Sequence, residues 1–341
     1  MRIATYNVEW FNALFDDDNR LLEDGEWSAR WDVTRARQLE SLGIVFTAMN
    51  ADAVMVIEAP DTHRGRSTVL ALERFAAHFR LRTRKALIGF QNQTQQEIAL
   101  LYDPDVLTAR HDPQGTPTGN GEDGGAPRFD GVFRFDLDTD AAPEPIVFSK
   151  PPLETALETR AGRRLRLIGV HAKSKAPHGA ATEAEVMRIS IQNRRKQLAQ
   201  CVWLRRRVEA VLRAGEDLMV MGDFNDGPGL DDYEKLFGRS GVEIVLGKPG
   251  AAMLHDPHAR MALARRVGAM PVTARFYLHH EKRYLQALLD YIMVSPGLRR
   301  LGPRWRIWHP FDDPVCYKTP ELREALLDAS DHFPVTLDIE I

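Results

Sequence analysis

Short apolar runs rich in β-forming residues alternate with longer amphipathic helical patterns along the whole chain. The helical pattern is clear in residues 34–50, where Leu39, Leu42, Val45 and Phe46 recur at spacings of three and four. Further helices are predicted over residues 67–79 and 183–213, and strands within residues 2–10, 51–60, 97–107, 131–139, 163–175, 217–226, 286–295 and 331–339. Strands joined both by helices and by hairpin-like connections predict an α/β fold, a mixed sheet sandwich flanked by helices.

The length of 341 residues would suit one large domain or two ordinary ones. Residues 112–127 are dense in glycine and proline, which predicts a surface loop. Because apolar strands continue evenly on both sides of this loop, it is not predicted to be a linker between domains. We therefore expect a single domain over residues 1–341, with loop insertions near residues 112–127 and 309–328.

The composition argues against several classes of protein. No apolar run approaches the roughly 20 residues that a membrane-spanning helix needs. Cys201 and Cys316 are the only two cysteines, too few for a disulfide framework and unlike a zinc cluster. The first residues are predicted to form a strand and lack the apolar region of a signal peptide, so we expect a cytoplasmic protein.

Positive charge is concentrated in one segment of the chain. Residues 160–213 contain 14 lysines and arginines against 3 acidic residues, whereas the whole chain carries a net charge of −3. A basic segment in an acidic protein is typical of a surface that binds polyanions such as phosphates. The alternative is an ordinary solvated helix face, and charge alone does not decide between the two.

Polar residues stand at the ends of several predicted strands. They are Asn7 and Glu9, Glu58, His171, Asp223 and Asn225, Asp290, and Asp331 with His332. A single polar residue at a strand end is typical of a cap or a turn, and residues 223–229 contain the Asp, Asn, Gly and Pro that favour turns. Asp290 differs because it interrupts an apolar run, and a buried carboxylate needs a hydrogen-bonding or positively charged partner. A histidine is the natural candidate.

If these residues converge at one end of the sandwich, they form a site for a hard cation and a phosphate. Oxygen ligands suit Mg²⁺ or Mn²⁺, which also hold substrate phosphate. The candidate metal ligands are Glu9, Glu58 and Asp331. His332 held by Asp290 would supply a base or proton carrier with a fixed tautomer. Asn225 and His171 would donate to phosphate oxygens, so the set predicts metal-assisted hydrolysis of a phosphoryl ester.

Six motifs occur in an order that resembles the endonuclease/exonuclease/phosphatase superfamily, which includes deoxyribonuclease I. They are TYNVEWF, VIEA, GVHAKSK, VMGDFND, LDYIMVS and SDHFPV. Together they span nearly the whole chain. The resemblance implies an α/β fold of the deoxyribonuclease I type: a four-layer sandwich of two packed mixed β-sheets flanked by helices.

The resemblance also implies a role for each polar strand end. It implies that Asn7 and Glu58 belong to the metal and phosphate site, with Glu9 close to it, and that Asp331 is a metal-side carboxylate. The implied residues around the phosphate and the attacking water are Asn7, His171, Asp223 and Asn225. The implied dyad is Asp290 and His332. On this interpretation the acidic crowding after residue 222 is a phosphate- and water-binding corner, and the turn accounts only for residues 227–229.

Two positions bear on the subfamily. Members usually carry a polar residue before the metal-binding glutamate, and this chain has Ile57 there. The sequence HAKSK at residues 171–175 differs from the Tyr-Pro-Asn type of the apurinic endonucleases. It is more similar to nuclease members whose element is His-x-Lys-Ser-Lys.

The leading hypothesis is a Mg²⁺- or Mn²⁺-dependent nuclease that cleaves DNA or RNA by in-line attack of water on phosphorus. The expected contacts to backbone phosphates are Lys173, Lys175, Arg194, Arg195 and Lys196. The alternative is a phosphatase or phosphodiesterase acting on a small-molecule or lipid phosphate ester, because the same centre serves both. A catalytically inactive binding module would be expected to lack one of these metal-ligating or catalytic residues, and none of them is missing. Aromatic residues that could stack on bases, or pack in the core or rim, are Phe276, Tyr277, Trp305, Trp308 and Phe311.

Overall fold

Strands and helices alternate along the chain in the computed structural model, which describes residues 1–117, 126–136, 143–177, 179–228, 237–250, 252–264, 270–278 and 282–341. The strands are β1 (Arg2–Asn7), β2 (Ala53–Ala59), β3 (Lys85–Ile88), β4 (Glu97–Tyr102), β5 (Leu107–His111), β6 (Phe133–Phe135), β7 (Glu144–Ile146), β8 (Leu153–Thr159), β9 (Arg164–His171), β10 (Leu218–Asp223), β11 (Ala274–Leu278), β12 (Arg283–Ala287), β13 (Asp290–Val294), β14 (Arg304–Ile307) and β15 (Val335–Asp338). The helices are α1 (Arg35–Met49), α2 (Thr68–His78), α3 (Glu183–Arg213), α4 (Gly241–Leu246), α5 (Pro257–Leu263), α6 (Pro296–Arg299), α7 (Pro314–Lys318) and α8 (Pro320–Ala329), with a 3₁₀ turn at Phe11–Leu14.

Most of the strands form two mixed sheets. The first has the order β14-β15-β1-β2-β4-β3, and the second has the order β13-β10-β9-β8-β5. Each sheet contains one parallel pair, β1 with β2 and β9 with β10, and its other pairs are antiparallel. Strands β6 and β7 form one separate hairpin, and β11 and β12 form another.

The two sheets pack face to face on a central apolar layer. Ile3, Met55 and Ile57 of the first sheet meet Leu167 and Met219 of the second there, and all five are fully buried. Because strand side chains alternate between faces, the opposite faces of the sheets carry two further apolar layers. Helices α1, α2 and α8 cover the first sheet, and helices α3, α4 and α5 cover the second. The predicted four-layer sandwich is confirmed.

A glycine allows the sheets to approach closely at their centre. A Cβ atom placed on Gly169 of β9 would lie 2.4 Å from the sulfur of Met55 on β2. Real carbon and sulfur atoms do not come so close, so any larger residue at position 169 would move Met55 or separate the sheets.

Several segments differ from the sequence-based expectation. Residues 97–107 are not one strand, because the chain turns after Tyr102 and resumes as β5. Residues 309–328 are not a loop insertion, because they contain α7 and most of α8, and Leu322 and Leu326 of α8 pack in the layer beneath α1. The hairpin β11–β12 was not expected, and residues 118–125 of the expected 112–127 loop lie outside the described ranges. None of the helices in those ranges combines the length and apolar character that crossing a membrane requires.

Gly222 comes immediately before Asp223, the last residue of β10. Its φ angle of 132° lies in a region that favours glycine, and an added Cβ would lie 2.1 Å from the carbonyl oxygen of Val170 on β9. Only glycine fits between these two strands, so Gly222 is needed for the position of Asp223.

The Gly222→Ala substitution is therefore expected to lower the free energy of unfolding by roughly 2–4 kcal/mol, since it adds a steric clash to backbone strain. Gly215→Ala is the matched control, because its φ of 75° is also positive but an added Cβ meets no atom within 4 Å. The control should lose only about 1–2 kcal/mol from the left-handed backbone. Denaturant unfolding of both variants measures the difference. Equal losses in the free energy of unfolding would show that the contact with Val170 adds nothing to the destabilisation.

Candidate active site

Strand ends from both sheets meet at one end of the sandwich. Asn7 ends β1 of the first sheet, and its Nδ2 donates to Oδ2 of Asp223 at the end of β10, at 3.1 Å. Within the second sheet, Asp223 pairs in register with His171 on one side and with Asp290 on the other. The pairing of the strands therefore places three of the predicted residues side by side, and a side-chain hydrogen bond adds Asn7 from the other sheet.

Asp290 is hydrogen-bonded to His332, with Oδ2 of the acid 2.7 Å from Nδ1 of the ring. Both residues are buried. The backbone N–H of Asp290 donates to Oγ1 of Thr273, and that of His332 donates to Oγ of Ser330. His332 lies before β15 rather than in it, so the ring is held by side chains and not by sheet pairing alone.

The pKa of His332 is raised well above its usual value. Burial alone would lower this pKa, but the carboxylate of Asp290 and, with smaller effects, those of Asp331 and Asp223 outweigh it. An Oδ1 atom of Asp331 lies 4.0 Å from Nε2, the ring nitrogen that Asp290 does not hold. These carboxylates favour the imidazolium form of His332, whose second nitrogen is directed to an acidic neighbourhood.

His171 is in the opposite protonation state. Burial and the positive charges of Lys150 and His332 lower its pKa well below the usual value. Nζ of Lys150 lies 3.2 Å from Nδ1 of the ring, and Asp223 and Glu58 have oxygens 3.7 Å and 3.8 Å from Nε2. The ring is thus neutral and able to exchange hydrogen bonds with a polar ligand.

Glu58 points into the site because the backbone is irregular at this residue. Its φ of 61° is in the left-handed region, and the pairing of β2 with β4 shifts between Ile57 and Ala59. Such a bulge re-aims one side chain at a cost in backbone strain. The carboxylate accepts a hydrogen bond from Nε2 of Gln96 at 2.5 Å. Burial raises the pKa of Glu58 to about 7, although Lys150 opposes this.

Asp223 is the acceptor at the centre of the site. Its carboxylate accepts hydrogen bonds from the Asn7 amide, from the backbone N–H of Asn225 at 2.7 Å and from Nδ2 of Asn225 at 3.1 Å. Asn225 reaches back to it because its φ of 49° lies in the left-handed region. Burial raises the pKa of Asp223 to about 7, and the nearby charge of His332 opposes that rise.

Glu9, a predicted metal-side residue, has a charged partner within the protein. Its carboxylate forms an ion pair with Nη1 of Arg30, and the same guanidinium donates to the carbonyl of Leu327. Burial, followed by the negative charge of Asp331, raises the pKa of Glu9 to about 7. Glu9 therefore lies at the border of the site, where Arg30 holds its carboxylate.

The basic segment does not present all of its charges to a ligand. Asp226, which is fully buried, accepts from Nζ of Lys175 at 2.6 Å and from Nη1 of Arg194 at 3.3 Å. A guanidinium nitrogen of Arg195 lies 3.6 Å from a carboxylate oxygen of Glu144. These partners account for three of the five cations that were expected to contact phosphates.

Lys173 and Lys196 differ from these three. Burial and the charge of Lys196 lower the pKa of Lys173. Within the described ranges, neither lysine forms an ion pair with a carboxylate. Of the five cations expected to contact phosphates, these two are the ones with no carboxylate partner among the described residues.

Lys150 and Gln96 belong to the site but were not predicted. Nζ of Lys150 donates to Oε1 of Gln96, whose amide donates to Glu58, so the two side chains link Glu58 to His171. Each of them stands just before a buried strand, β8 and β4 respectively. Polar residues at the ends of predicted strands were used as a signal elsewhere in the chain. This signal could have identified Gln96, which precedes the predicted strand 97–107, but not Lys150, because no strand was predicted at β8.

The residues present fit a hard divalent cation. Oδ1 of Asn7 is buried without a hydrogen-bond partner, and the Glu58 carboxylate lies beside the same cluster. Within the described ranges, no three His, Cys, Asp or Glu side chains are already grouped as a metal cage. Mg²⁺ commonly takes only one or two carboxylates and completes its shell with waters and substrate phosphate. A carboxylate and an unpaired amide oxygen are therefore a suitable donor set.

Nearly the whole chain is similar to known proteins, both in sequence family and in fold. Residues 4–332 match the model of the Endonuclease/Exonuclease/phosphatase family. The structure of TDP2 from C. elegans aligns with a TM-score of 0.51 at 13% identity, covering 98% of this chain and 74% of that one. The structure of D. rerio TDP2 complexed with a single strand DNA product aligns with a TM-score of 0.50 at 11% identity, covering 100% of this chain and 99% of that one.

At such identities the two structures establish the fold alone. A search of curated protein sequences found no match. The family model covers almost every strand and helix described above, and it begins and ends at elements that contribute to the site. This chain therefore belongs to the endonuclease/exonuclease/phosphatase family.

Proposed function

We propose that the protein is a divalent-metal-dependent phosphodiester hydrolase that catalyses in-line attack of water on phosphorus. The observation that carries the proposal is the buried Asp290–His332 pair beside Asp223, Asn7 and Glu58. These groups offer a fixed cation, an acceptor of raised pKa and oxygen ligands within one small space. Each of these features can contribute to hydrolysis of a phosphate diester.

Glu58 and the unpaired Oδ1 of Asn7 would hold the metal, which is Mg²⁺ or Mn²⁺ given the oxygen donors. When bound, the cation neutralises charge on the phosphate and stabilises the leaving oxygen. Asp331 lies on the Nε2 side of the His332 ring, where its carboxylate adds negative charge. Glu9 would act through Arg30 and the local charge rather than as a ligand, because its carboxylate is already paired.

His332 would bind a non-bridging phosphate oxygen through Nε2. Asp290 orients the ring and favours its cationic form, so the ring would stabilise the negative charge that accumulates in the transition state. Asp223, with a pKa of about 7, would orient the attacking water and accept its proton. Asn225 holds Asp223 in place for this role.

Lys150 and the neutral His171 would bind the remaining phosphate oxygens. Their side chains are in contact, and Gln96 holds Lys150 from the other side. A buried lysine has a lowered pKa because of desolvation, and an incoming phosphate would offset that cost. The pair therefore favours an anionic ligand over a neutral one.

We infer a nucleic acid as the first candidate substrate. Lys173 follows His171 by two residues and lies near Lys196 of α3, so the two lysines extend the positive charge beyond His171. A small-molecule or lipid phosphate ester is the second candidate. The observation in its favour is that Asp226 and Glu144 already engage Lys175, Arg194 and Arg195. Fewer cations then remain for a polynucleotide than the sequence indicated.

Activity is expected to require a divalent cation and to depend on Glu58. Its pKa of about 7 means that protons compete with the metal in acid, so the Mg²⁺ concentration for half-maximal rate should rise roughly tenfold from pH 8 to pH 6. Glu58→Gln should raise this requirement at every pH and remove its pH dependence. Glu97→Gln is the matched control, because Glu97 is also buried with a pKa of about 7 but hydrogen-bonds Asn92. Full activity in excess chelator would refute the metal site.

His332→Ala is expected to lower kcat by roughly 10²–10⁴-fold, the usual scale for a group that acts directly on the reacting atoms. Asp290→Asn should cost much of the same factor, because it removes the charge that keeps the ring cationic. The double variant should cost little more than His332→Ala alone, since residues that act as a unit are not additive. Steady-state kinetics on bis-p-nitrophenyl phosphate measure all three, with His258→Ala as a control for loss of a partly buried ring. Losses that multiply would show that the two side chains act independently.

Lys150 and Lys173 are expected to differ in what their loss changes. Lys150→Met should lower kcat for both a polynucleotide and a chromogenic diester, because it removes a contact to the reacting phosphate. The double reversal of Lys173 and Lys196 to glutamate should instead raise KM for a polynucleotide and flatten its salt dependence, since fewer counterions are released. Rates measured from 50 to 300 mM salt on both substrates make the comparison. Equal losses on both substrates for the reversal would favour the small phosphate ester.

A further inference from the structure

The hairpin formed by β11 and β12 is fixed directly beside the site. The backbone N–H of Arg275 donates to the carbonyl oxygen of Asp331 at 2.7 Å, and Ala274 pairs with His332 in an isolated antiparallel bridge. Phe333 donates its backbone N–H to Thr273 from the other side of this bridge. The position of the hairpin is therefore set by the same residues that are proposed to act on the phosphate.

One face of this hairpin packs inward and the other carries an arginine and two tyrosines. Ala274 and Ala287 pair in register and are buried with Leu289. Strand side chains alternate, so Arg275, Tyr277 and Tyr284 lie on the opposite face. Tyr277 and Tyr284 pair in register, and their rings lie 5.2 Å apart.

Arg275 lies between two exposed rings. Its guanidinium carbon is 4.4 Å from the ring centre of Tyr284 and 5.8 Å from that of Phe311. Tyr284 is 57% exposed and Phe311 is 43% exposed. The guanidinium is held in place by aromatic rings that are themselves exposed to solvent in part.

Arg275 also has hydrogen-bonding capacity that the protein does not use. Its Nε is buried without a hydrogen-bond partner. In the described part of the chain, no carboxylate lies within ion-pair distance of this guanidinium, in contrast to Arg30, Arg194 and Arg306. A partly desolvated cation with unused donors is costly unless an anion completes it. The arrangement is therefore suited to binding an anionic group from outside.

We propose that Arg275, Tyr284 and Phe311 form a binding site for the nucleotide next to the scissile phosphate of a single-stranded nucleic acid. Arg275 would bind the flanking phosphate, and the ring of Tyr284, the more exposed of the two, would stack on the base. The bases of a duplex are stacked on their neighbours, whereas those of a single strand are free to lie on an aromatic side chain. This inference rests on the proposed phosphodiester hydrolase activity and gives it a substrate class.

The experiment compares Arg275→Ala, Tyr284→Ala and Tyr284→Phe with the unchanged protein. The substrates are a single-stranded oligonucleotide, as DNA and as RNA, the same oligonucleotide with abasic sites, and its duplex. Arg206→Ala is the matched control, because its guanidinium lies 4.9 Å and 5.9 Å from the rings of Phe133 and Phe135, away from this hairpin. Binding is measured by fluorescence anisotropy in excess chelator, and turnover by cleavage with Mg²⁺ or Mn²⁺.

Tyr284→Ala should weaken binding of the intact single strand by about tenfold, the lower range for loss of one stacked base, and should act on KM rather than kcat. Tyr284→Phe should retain binding because the ring remains. Arg275→Ala should weaken binding and reduce its salt dependence. The abasic oligonucleotide should bind the unchanged protein as weakly as the intact one binds Tyr284→Ala. Arg206→Ala should behave as the unchanged protein does.

Unchanged binding of the intact single strand by Tyr284→Ala and Arg275→Ala would overturn the inference. Equal loss of kcat on bis-p-nitrophenyl phosphate would also overturn it, because Arg275 would then only support Asp331. Preference for the duplex would do the same. These outcomes are separate from failure of the proposed function, which would appear as absence of hydrolysis of any diester by the unchanged protein with metal.

Discussion

Burial of several carboxylates at one end of the sandwich is the constraint on which the rest of the site depends. Asp223 and Asp290 are almost inaccessible to solvent, and Glu58 lies close enough to Asp223 and Asp331 to feel their charge. Each buried charge is costly unless it has a cation or several donors. His332 and Lys150 supply the charge, and the amides of Asn7, Gln96 and Asn225 supply the donors. The contacts that offset the cost of burying these carboxylates are thus the same contacts that orient the side chains of the candidate site.

Two buried histidines illustrate how neighbours decide charge. The pKa of His332 is raised because carboxylates surround it, whereas that of His171 is lowered because Lys150 and the cationic His332 add to the effect of burial. Groups whose environments push their pKa values apart can take distinct tasks in one reaction. The bulge at Glu58 and the left-handed backbone at Asn225 place the remaining polar groups around the two rings.

The sequence predicted the layered fold and most of the polar cluster because those signals are local. Asp290 in an apolar run indicated a histidine partner, and the structure pairs it with His332. The partners of Lys175 and Arg194 could not be predicted, because Asp226 reaches them only through the tertiary fold. The hairpin β11–β12 has no turn signature of the Asn-Gly kind, and α7 and α8 were overlooked although each begins with the proline that favours a first helical position.

The close approach at Gly169 has a consequence for how this enzyme could change over time. Both sheets contribute residues to the site, Asn7 from one and Asp223 from the other. The side chains packed between the sheets determine the distance between the sheets. Gly169 and Met55 belong to this central layer. Interiors transmit strain because they are densely packed. The thickness of the central layer is accordingly coupled to the spacing of the proposed catalytic groups, and a substitution that enlarges this layer would also re-space the candidate site.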